Sequence, residues 1–172
     1  MNIDIRSIPA FTKISDSSLQ VIKKETELLK YPIGYPICNK ELIPNKVQII
    51  LSGEARFLHG DSTKATTISK LQAYQFIGLS SLLRAKGCES ISASSEVMML
   101  ALSDHIILKL YKEDLEFRNW CNTTVHVGEV YEIANQIYNN SPKTNFDLKE
   151  IFNLVFNNIS LNIIENGKQK YH

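Results

Sequence analysis

Val47-Gln48-Ile49-Ile50-Leu51-Ser52-Gly53-Glu54-Ala55-Arg56-Phe57-Leu58 is the stretch on which the reading of this chain turns. Large and β-branched apolar residues flank a Ser-Gly pair, and glycine adopts positive φ without a Cβ penalty. Two strands joined by a tight hairpin at Ser52-Gly53 are therefore expected. The same texture continues on both sides. From Tyr31 to about Leu102, Gly34, Pro36, Pro44, Gly53, Gly60, Gly78 and Gly87 punctuate short runs rich in Val, Ile, Leu and Thr. Thr66–Leu71, Ser90–Ser94 and Glu96–Leu102 are further runs, and His59-Gly60-Asp61 is a second turn signal. Short strands at intervals of ~8–12 residues indicate a sandwich or barrel.

Helical periodicity frames this region. Residues 15–30 read as a helix capped by Ser15 or Asp16, with Leu19, Ile22 and Leu29 near one face and Pro32 as its stop. Ile8-Pro9-Ala10-Phe11 precedes it as an apolar turn whose Phe11 plugs the core. After Leu102, Ser103 caps a helix running to Phe117, with Ile106, Ile107, Leu110 and Leu115 inward. Thr124 opens another that carries Val127, Val130, Ile133, Ala134 and Ile137, and Asn139-Asn140-Ser141-Pro142 breaks it. Thr144 or Asn145 starts a last helix with the apolar stripe Leu148, Ile151, Phe152, Val155 and Ile159, broadened by Phe146 and Phe156. Packing on the sheets or an interface explains that stripe. The tail Glu165–His172 reads as a frayed end. The order is one helix, about eight strands, then several helices.

Composition bounds the function. The chain has 172 residues, 44% hydrophobic and 22% charged, with a formal net charge of +1. That balance exerts no general pull toward nucleic acid or a membrane surface. No apolar run approaches the ~20 residues that span a bilayer, and no signal peptide is read at the N-terminus, so a cytoplasmic location is expected. Cys38, Cys88 and Cys121 are single and widely spaced, which argues for buried thiols rather than disulfides or a zinc site. No G-x-S-x-G, H-E-x-x-H or G-x-x-x-x-G-K-[ST] motif occurs, so catalysis is not expected. Residues 123–172 hold four lysines, no arginine and five acids, a poor composition for a recognition helix on DNA.

Several segments resemble the cyclic-nucleotide-binding domain family over roughly residues 8–118. Ile8-Pro9-Ala10-Phe11 with Ile14 resembles its opening "lF..l". Tyr31-Pro32-Ile33-Gly34 with Ile37 resembles "y..Ge.i", with Tyr35 where an acid is usual. Val47–Ala55 resembles "yfilsGev", Phe76–Ala93 resembles the phosphate-binding cassette, and Met99–Leu110 resembles the closing strand and helix. The resemblance implies a mainly β fold with flanking helices, a double-stranded β-helix jelly roll over residues 1–118. Residues 119–172 would then be a helical extension or linker.

In that family the cassette reads G-E-x-A-L followed by an arginine. Backbone N–H groups at the start of a short helix meet the cyclic phosphate, an arginine adds a bidentate contact, and the acid accepts from the ribose. Here Gly78 matches the glycine, but Leu79 replaces the acid and the arginine position falls at Gly87. Losing a charge-assisted contact costs ~1.5–3 kcal/mol, so losing two weakens a nucleotide by several decades. No cofactor is expected, and cAMP and cGMP are disfavoured. Candidate ligand contacts in the degenerate cassette are Gly78, Leu79, Ser80, Ser81, Leu82, Arg84, Lys86 and Ser90, of which Arg84 and Lys86 carry the positive charge. Cys88 and Glu89 are read as shaping the loop, and Trp120 as anchoring a helix junction.

Gly78–Arg84 followed by Cys88–Ser94 also resembles a variant cassette, "G-x-x-S-L-L-R…C-E-x-V-x-A-S", of domains at the N-terminus of cyanobacterial toxin- or peptide-secretion ABC transporters. Phe117–Cys121 and the following helix resemble the segment that comes next there. The resemblance implies a non-catalytic regulatory or interaction domain. Its partners would be other transporter domains or a protein bound through the C-terminal helices, with a homodimer as a further expectation. The alternative is a sensor that still takes a cyclic nucleotide or another small anion.

Overall fold

The computed structural model describes residues 3–60, 64–141 and 145–159. Two short 3-10 turns, Ile5–Ser7 and Pro9–Phe11, lead into helix α1, Asp16–Glu25. Ser15 caps α1 by accepting the Ser18 N–H at 3.2 Å, and Leu19 and Ile22 are its buried residues. The helix ends at Glu25, five residues before the expected end. Glu27–Tyr31 is instead strand β1, paired antiparallel with Val97–Ser103 so that Leu29 lies opposite Met99. A β-branched Thr26 and a waiting partner strand outweigh local helical spacing here.

Strands β2 (Pro36–Cys38), β3 (Lys46–Ser52), β4 (Ala55–His59), β5 (Thr66–Leu71), β6 (Phe76–Ile77), β7 (Ile91–Ala93) and β8 (Val97–Ser103) complete the roll. They form two antiparallel sheets, β1-β8-β3-β6 and β2-β7-β4-β5. This is the expected jelly roll, but not the expected hairpin. β3 and β4 belong to different sheets, so Ser52-Gly53 is a corner that carries the chain from one to the other. Gly53 has φ +86°, and a Cβ there would collide with the Glu96 carbonyl. The turn at Gly60 does join a hairpin, β4 to β5; Asp61 lies outside the described residues.

Helix α2 (Leu79–Leu83) interrupts the strands, and α3 (Asp104–Glu113), α4 (Leu115–Thr123), α5 (Val127–Asn140) and α6 (Leu148–Asn158) follow them. The helix expected over 103–117 divides at Asp114. That buried carboxylate accepts from the Phe117 N–H at 3.0 Å, capping α4, and from both the N–H and the hydroxyl of Ser15 at 3.0 Å. One side chain thus fixes the start of two helices. His126, not Thr124, caps α5. Asp147 starts α6 with a reciprocal capping box to Glu150; the expected cap Thr144, Pro142 and the tail Glu165–His172 lie outside the described residues.

Two cores result. Phe11, fully buried as expected, joins Ile8, Ile22, Val47, Leu100 and Phe117 on the helix-covered face of the first sheet. Between the sheets, Ile50, Phe57, Ile77, Ile91 and Met99 meet Val130, Tyr131 and Ala134 of α5 and Leu148, Ile151 and Phe152 of α6. The boundary expected after residue 118 falls inside α4, and the segment beyond it supplies part of the roll's own interior.

Candidate functional site

The cassette begins where β6 ends. Gly78 has φ +86° and caps α2. A Cβ there would press on Pro44 Cγ at 2.8 Å, so both the backbone and the neighbouring loop require glycine. The turn aims two backbone N–H groups, those of Gly78 and Ser81, at one point. Both donate to the carboxylate of Glu89: Gly78 to Oε1 at 3.1 Å and Ser81 to Oε2 at 2.9 Å. The Ser81 hydroxyl donates to Oε2 at 2.8 Å and accepts the Cys88 N–H at 3.1 Å. The converging donors of the cassette are therefore engaged by an anion from the chain itself.

Glu89 is only 2% exposed. Burial, the largest influence, pushes its carboxyl above the usual carboxylate range; the donors from Ser81 and Gly78 pull it down and the nearby Glu129 pushes it up. All three hydrogen bonds to its two oxygens are donated to the carboxylate, a pattern that suits its ionised form against the pull of burial.

The other expected positions divide by direction. Leu79 and Leu82 point into the first core beside Phe11 and Ile49. Ser80 is buried under α5, where a Cβ on Gly128 would meet its Cβ and Oγ at 2.7 Å and Glu89 Cγ at 3.2 Å. Arg84 turns toward α5, pairing with Glu129 at 2.7 Å and standing 3.7 Å from Glu132. Lys86 is exposed, and its N–H donates to the Ser81 carbonyl at 3.1 Å. The Ser90 carbonyl accepts the Leu58 N–H at 2.8 Å. At Gly87, where the family's arginine falls, a Cβ would strike the Lys40 carbonyl and approach that of Leu42 at 2.8 Å. No side chain fits there without moving backbone.

Around the cassette, α5 is held along its N-terminal half. Besides the Arg84 pair, Tyr131 lies on Phe57 with ring centroids 4.8 Å apart and its hydroxyl is 2.7 Å from His59 Nδ1. Trp120 stands at the junction of α4 and α5, 4.8 Å from the Phe76 ring and 5.3 Å from His126, as expected for a junction anchor. Burial pushes the Cys88 thiol up to about 11 and that of Cys38 to about 12, so neither is a thiolate at neutral pH. Among the described residues no group of three or more His, Cys, Asp or Glu side chains is placed to hold a metal ion.

Glu89 is the residue that sequence reasoning understated. Its signal was there: an acid beside Cys88, just before a strand with three buried residues, in a segment where a solvated carboxylate has no room.

An eight-stranded roll with a glycine-capped helix between β6 and β7, closed by C-terminal helices, is the fold of cyclic-nucleotide-binding domains. Among solved structures the chain is similar to a candidate cyclic nucleotide-binding protein from Geobacter metallireducens, at 16% identity and TM-score 0.57 over 69% of this chain and 89% of that one. It is also similar to the Thermus thermophilus catabolite activator protein, at 18% identity and TM-score 0.53 over 78% and 61%. The regulatory subunit of a cAMP-independent protein kinase A from Trypanosoma brucei matches at 12% identity and TM-score 0.53, over 67% of this chain and about half, 47%, of that one. No protein-family profile and no curated protein sequence matches the chain.

Proposed function

We propose that this chain is a non-catalytic regulatory or interaction domain of the cyclic-nucleotide-binding type, in which Glu89 has taken over the anion position of the cassette. The observation that carries the reading is the set of three hydrogen bonds from Gly78 and Ser81 to the Glu89 carboxylate. A nucleotide phosphate would have to expel a buried carboxylate, find no arginine at Gly87 and lift Gly128 away from Ser80. A triple mutant of the Trypanosoma brucei subunit is solved with cAMP in its A site, so the fold accommodates that ligand elsewhere; in this chain the equivalent cradle is filled from within.

The output surface in this reading is the helical extension. Ile133 and Ile137 of α5 and Leu154 and Phe156 of α6 are each more than 40% exposed. Ile133 also lines an apolar groove of about 320 Å³, together with Leu83, Tyr111, Val125 and Ile159, among others. Such surface suits a protein partner more than water. The partner we propose is another domain of a secretion ABC transporter, on the strength of the variant-cassette resemblance, with this domain on the cytoplasmic side. No helix among the described residues is long and apolar enough to cross a membrane.

The test is calorimetric titration of the chain with cAMP and with cGMP at physiological salt. No heat and no thermal shift at millimolar nucleotide is the expected result. Micromolar binding overturns the reading in favour of a nucleotide sensor.

A further inference from the structure

A second place in the molecule has polar groups without partners, on the outer face of the second sheet. Strand alternation turns Ala55, Phe57, Ile91 and Ala93 inward, all of them buried, so Arg56 and Ser92 face outward. Register sets these two directly opposite each other across β4 and β7, and sets Lys70 opposite Arg56 across β4 and β5. One row of the sheet therefore reads Ser92, Arg56, Lys70.

This row is costly as it stands. Ser92 is 9% exposed, and its hydroxyl is shut off from water with no hydrogen-bond partner; Arg56 Nε is in the same condition. Like charges directly opposite on a sheet destabilise it, yet Arg56 and Lys70 are placed so. The acid nearest to hand, Glu54, is committed to Lys70 at 3.1 Å and to the Ser94 hydroxyl at 3.0 Å. Among the described residues the Arg56 guanidinium makes no hydrogen bond or ion pair. A planar fork with five donors, beside an orphan hydroxyl and a second cation, is chemistry that recognises an oxyanion.

We infer that Arg56, Ser92 and Lys70 form a binding site for a single oxyanion, a phosphate or carboxylate group. Its two oxygens would be met by the guanidinium, with the Ser92 hydroxyl as a third donor and Lys70 as a long-range counter-charge. The site lies across the sheet from the filled interior and is independent of the Glu89 cassette.

The test is NMR titration of the full chain with inorganic phosphate and, separately, with acetate at constant ionic strength. The expected result is a saturable shift of the Arg56 Nε–H and of the Ser92 amide, while the amides of Gly78 and Ser81 stay still. Response to phosphate alone assigns a phosphoryl group, and response to acetate as well assigns a carboxylate source. Arg56→Gln abolishes the shifts. Ser92→Ala weakens binding about tenfold while leaving the thermal midpoint unchanged or higher, because an orphan hydroxyl is removed. Lys70→Gln, a surface change that keeps both orphan atoms, weakens binding too and covers the case in which Arg56→Gln fails to fold. No saturable shift with either anion up to tens of millimolar, or shifts that persist in Arg56→Gln, overturns the site. Movement at Gly78 and Ser81 instead counts against the Glu89 reading and leaves no support for this one.

Discussion

Replacing Glu89 with alanine removes an anion and leaves its donors behind. The backbone N–H groups of Gly78 and Ser81 lose acceptors at 3.1 and 2.9 Å; the Ser81 hydroxyl can rotate toward Cys88 Sγ, 3.5 Å away. Each buried donor left without an acceptor costs about 1–3 kcal/mol, so two cost about 2–6 kcal/mol. Relief from holding a buried charge offsets part of that, and a net loss of about 2–4 kcal/mol is expected. For a domain of this size that lowers the thermal midpoint by roughly 4–16 °C. Denaturant unfolding followed by fluorescence reads it directly, because the sole tryptophan, Trp120, contacts Phe76 just before the cassette. Acetate should raise the midpoint of the alanine variant by more than that of the wild type, by filling the vacated cradle. Stability within about 0.5 kcal/mol of wild type, with no acetate effect, would refute the claim that Glu89 neutralises the cassette.

Other perturbations test the surrounding parts. Because burial raises the Glu89 pKa in the folded state, its contribution is largest below the usual carboxylate pKa of about 4.3 and falls as pH rises; wild type should therefore lose ground to Glu89→Gln with rising pH, and a trend the other way in paired denaturation curves sinks this. His59 and His126 have the opposite sense: burial lowers both, so their neutral forms support the fold above about pH 6.5 and that support is lost on acidification, a slope that His59→Gln should flatten. Gly128→Ala should cost about 1–3 kcal/mol by overpacking against Ser80 despite the better helix propensity of alanine, and a stabilised variant would show that α5 is not seated on the cassette. Arg84→Ala breaks a pair whose arginine side chain is 31% exposed, so a loss of no more than about 1 kcal/mol, shrinking at high salt, is the expected outcome of thermal melts.

Much of the architecture was legible because it rests on local signals. Turn residues at Gly34, Gly53, Gly60 and Gly78 each have positive φ, and the runs between them had the alternation or apolar density that strands need. Thr66–Leu71 matches its expected bounds. What could not be read was tertiary. Glu27–Tyr31 has helical spacing but becomes a strand because β8 offers a partner. Ser52-Gly53 has a hairpin's composition, yet whether two flanking strands pair or part into different sheets depends on β6 and β8 competing for β3. Asp114 sat inside an apparently continuous helix, and the Ser15 N–H and hydroxyl, distant in the chain, give it a reason to break the run.

The cassette shows the same limit in chemical form. The resemblance puts an acid at Leu79 and an arginine at Gly87, so it said what the loop lacks. It did not say what replaces them. Glu89 is eight residues from Ser81, so its capture depends on the path of the intervening turn, where Ala85 has φ +52° and the Ser81 carbonyl holds the Lys86 N–H at 3.1 Å.

A tethered carboxylate also changes what the loop can sense. An outside anion must pay the cost of opening before it gains any contact. If vacating the cradle costs about 3–5 kcal/mol, the binding-competent state is populated at roughly one part in a hundred to one in several thousand, and apparent affinity falls by the same factor. On the reading proposed above, a nucleotide that also finds no arginine and no acid in the loop would not bind at cellular concentrations. The same arithmetic runs in favour of a protein partner. A surface that draws α5 outward need not contact the cassette; it has only to bind the raised helix better than the seated one. Glu89, Gly128 and Arg84 then set the threshold for that movement, and weakening any of them should make partner binding tighter even as the isolated domain becomes less stable. Measuring the affinity of a fragment of the proposed transporter partner for wild type and for Arg84→Ala decides between these roles: tighter binding by the variant supports a latch, and equal or weaker binding means that α5 stays seated when the partner docks.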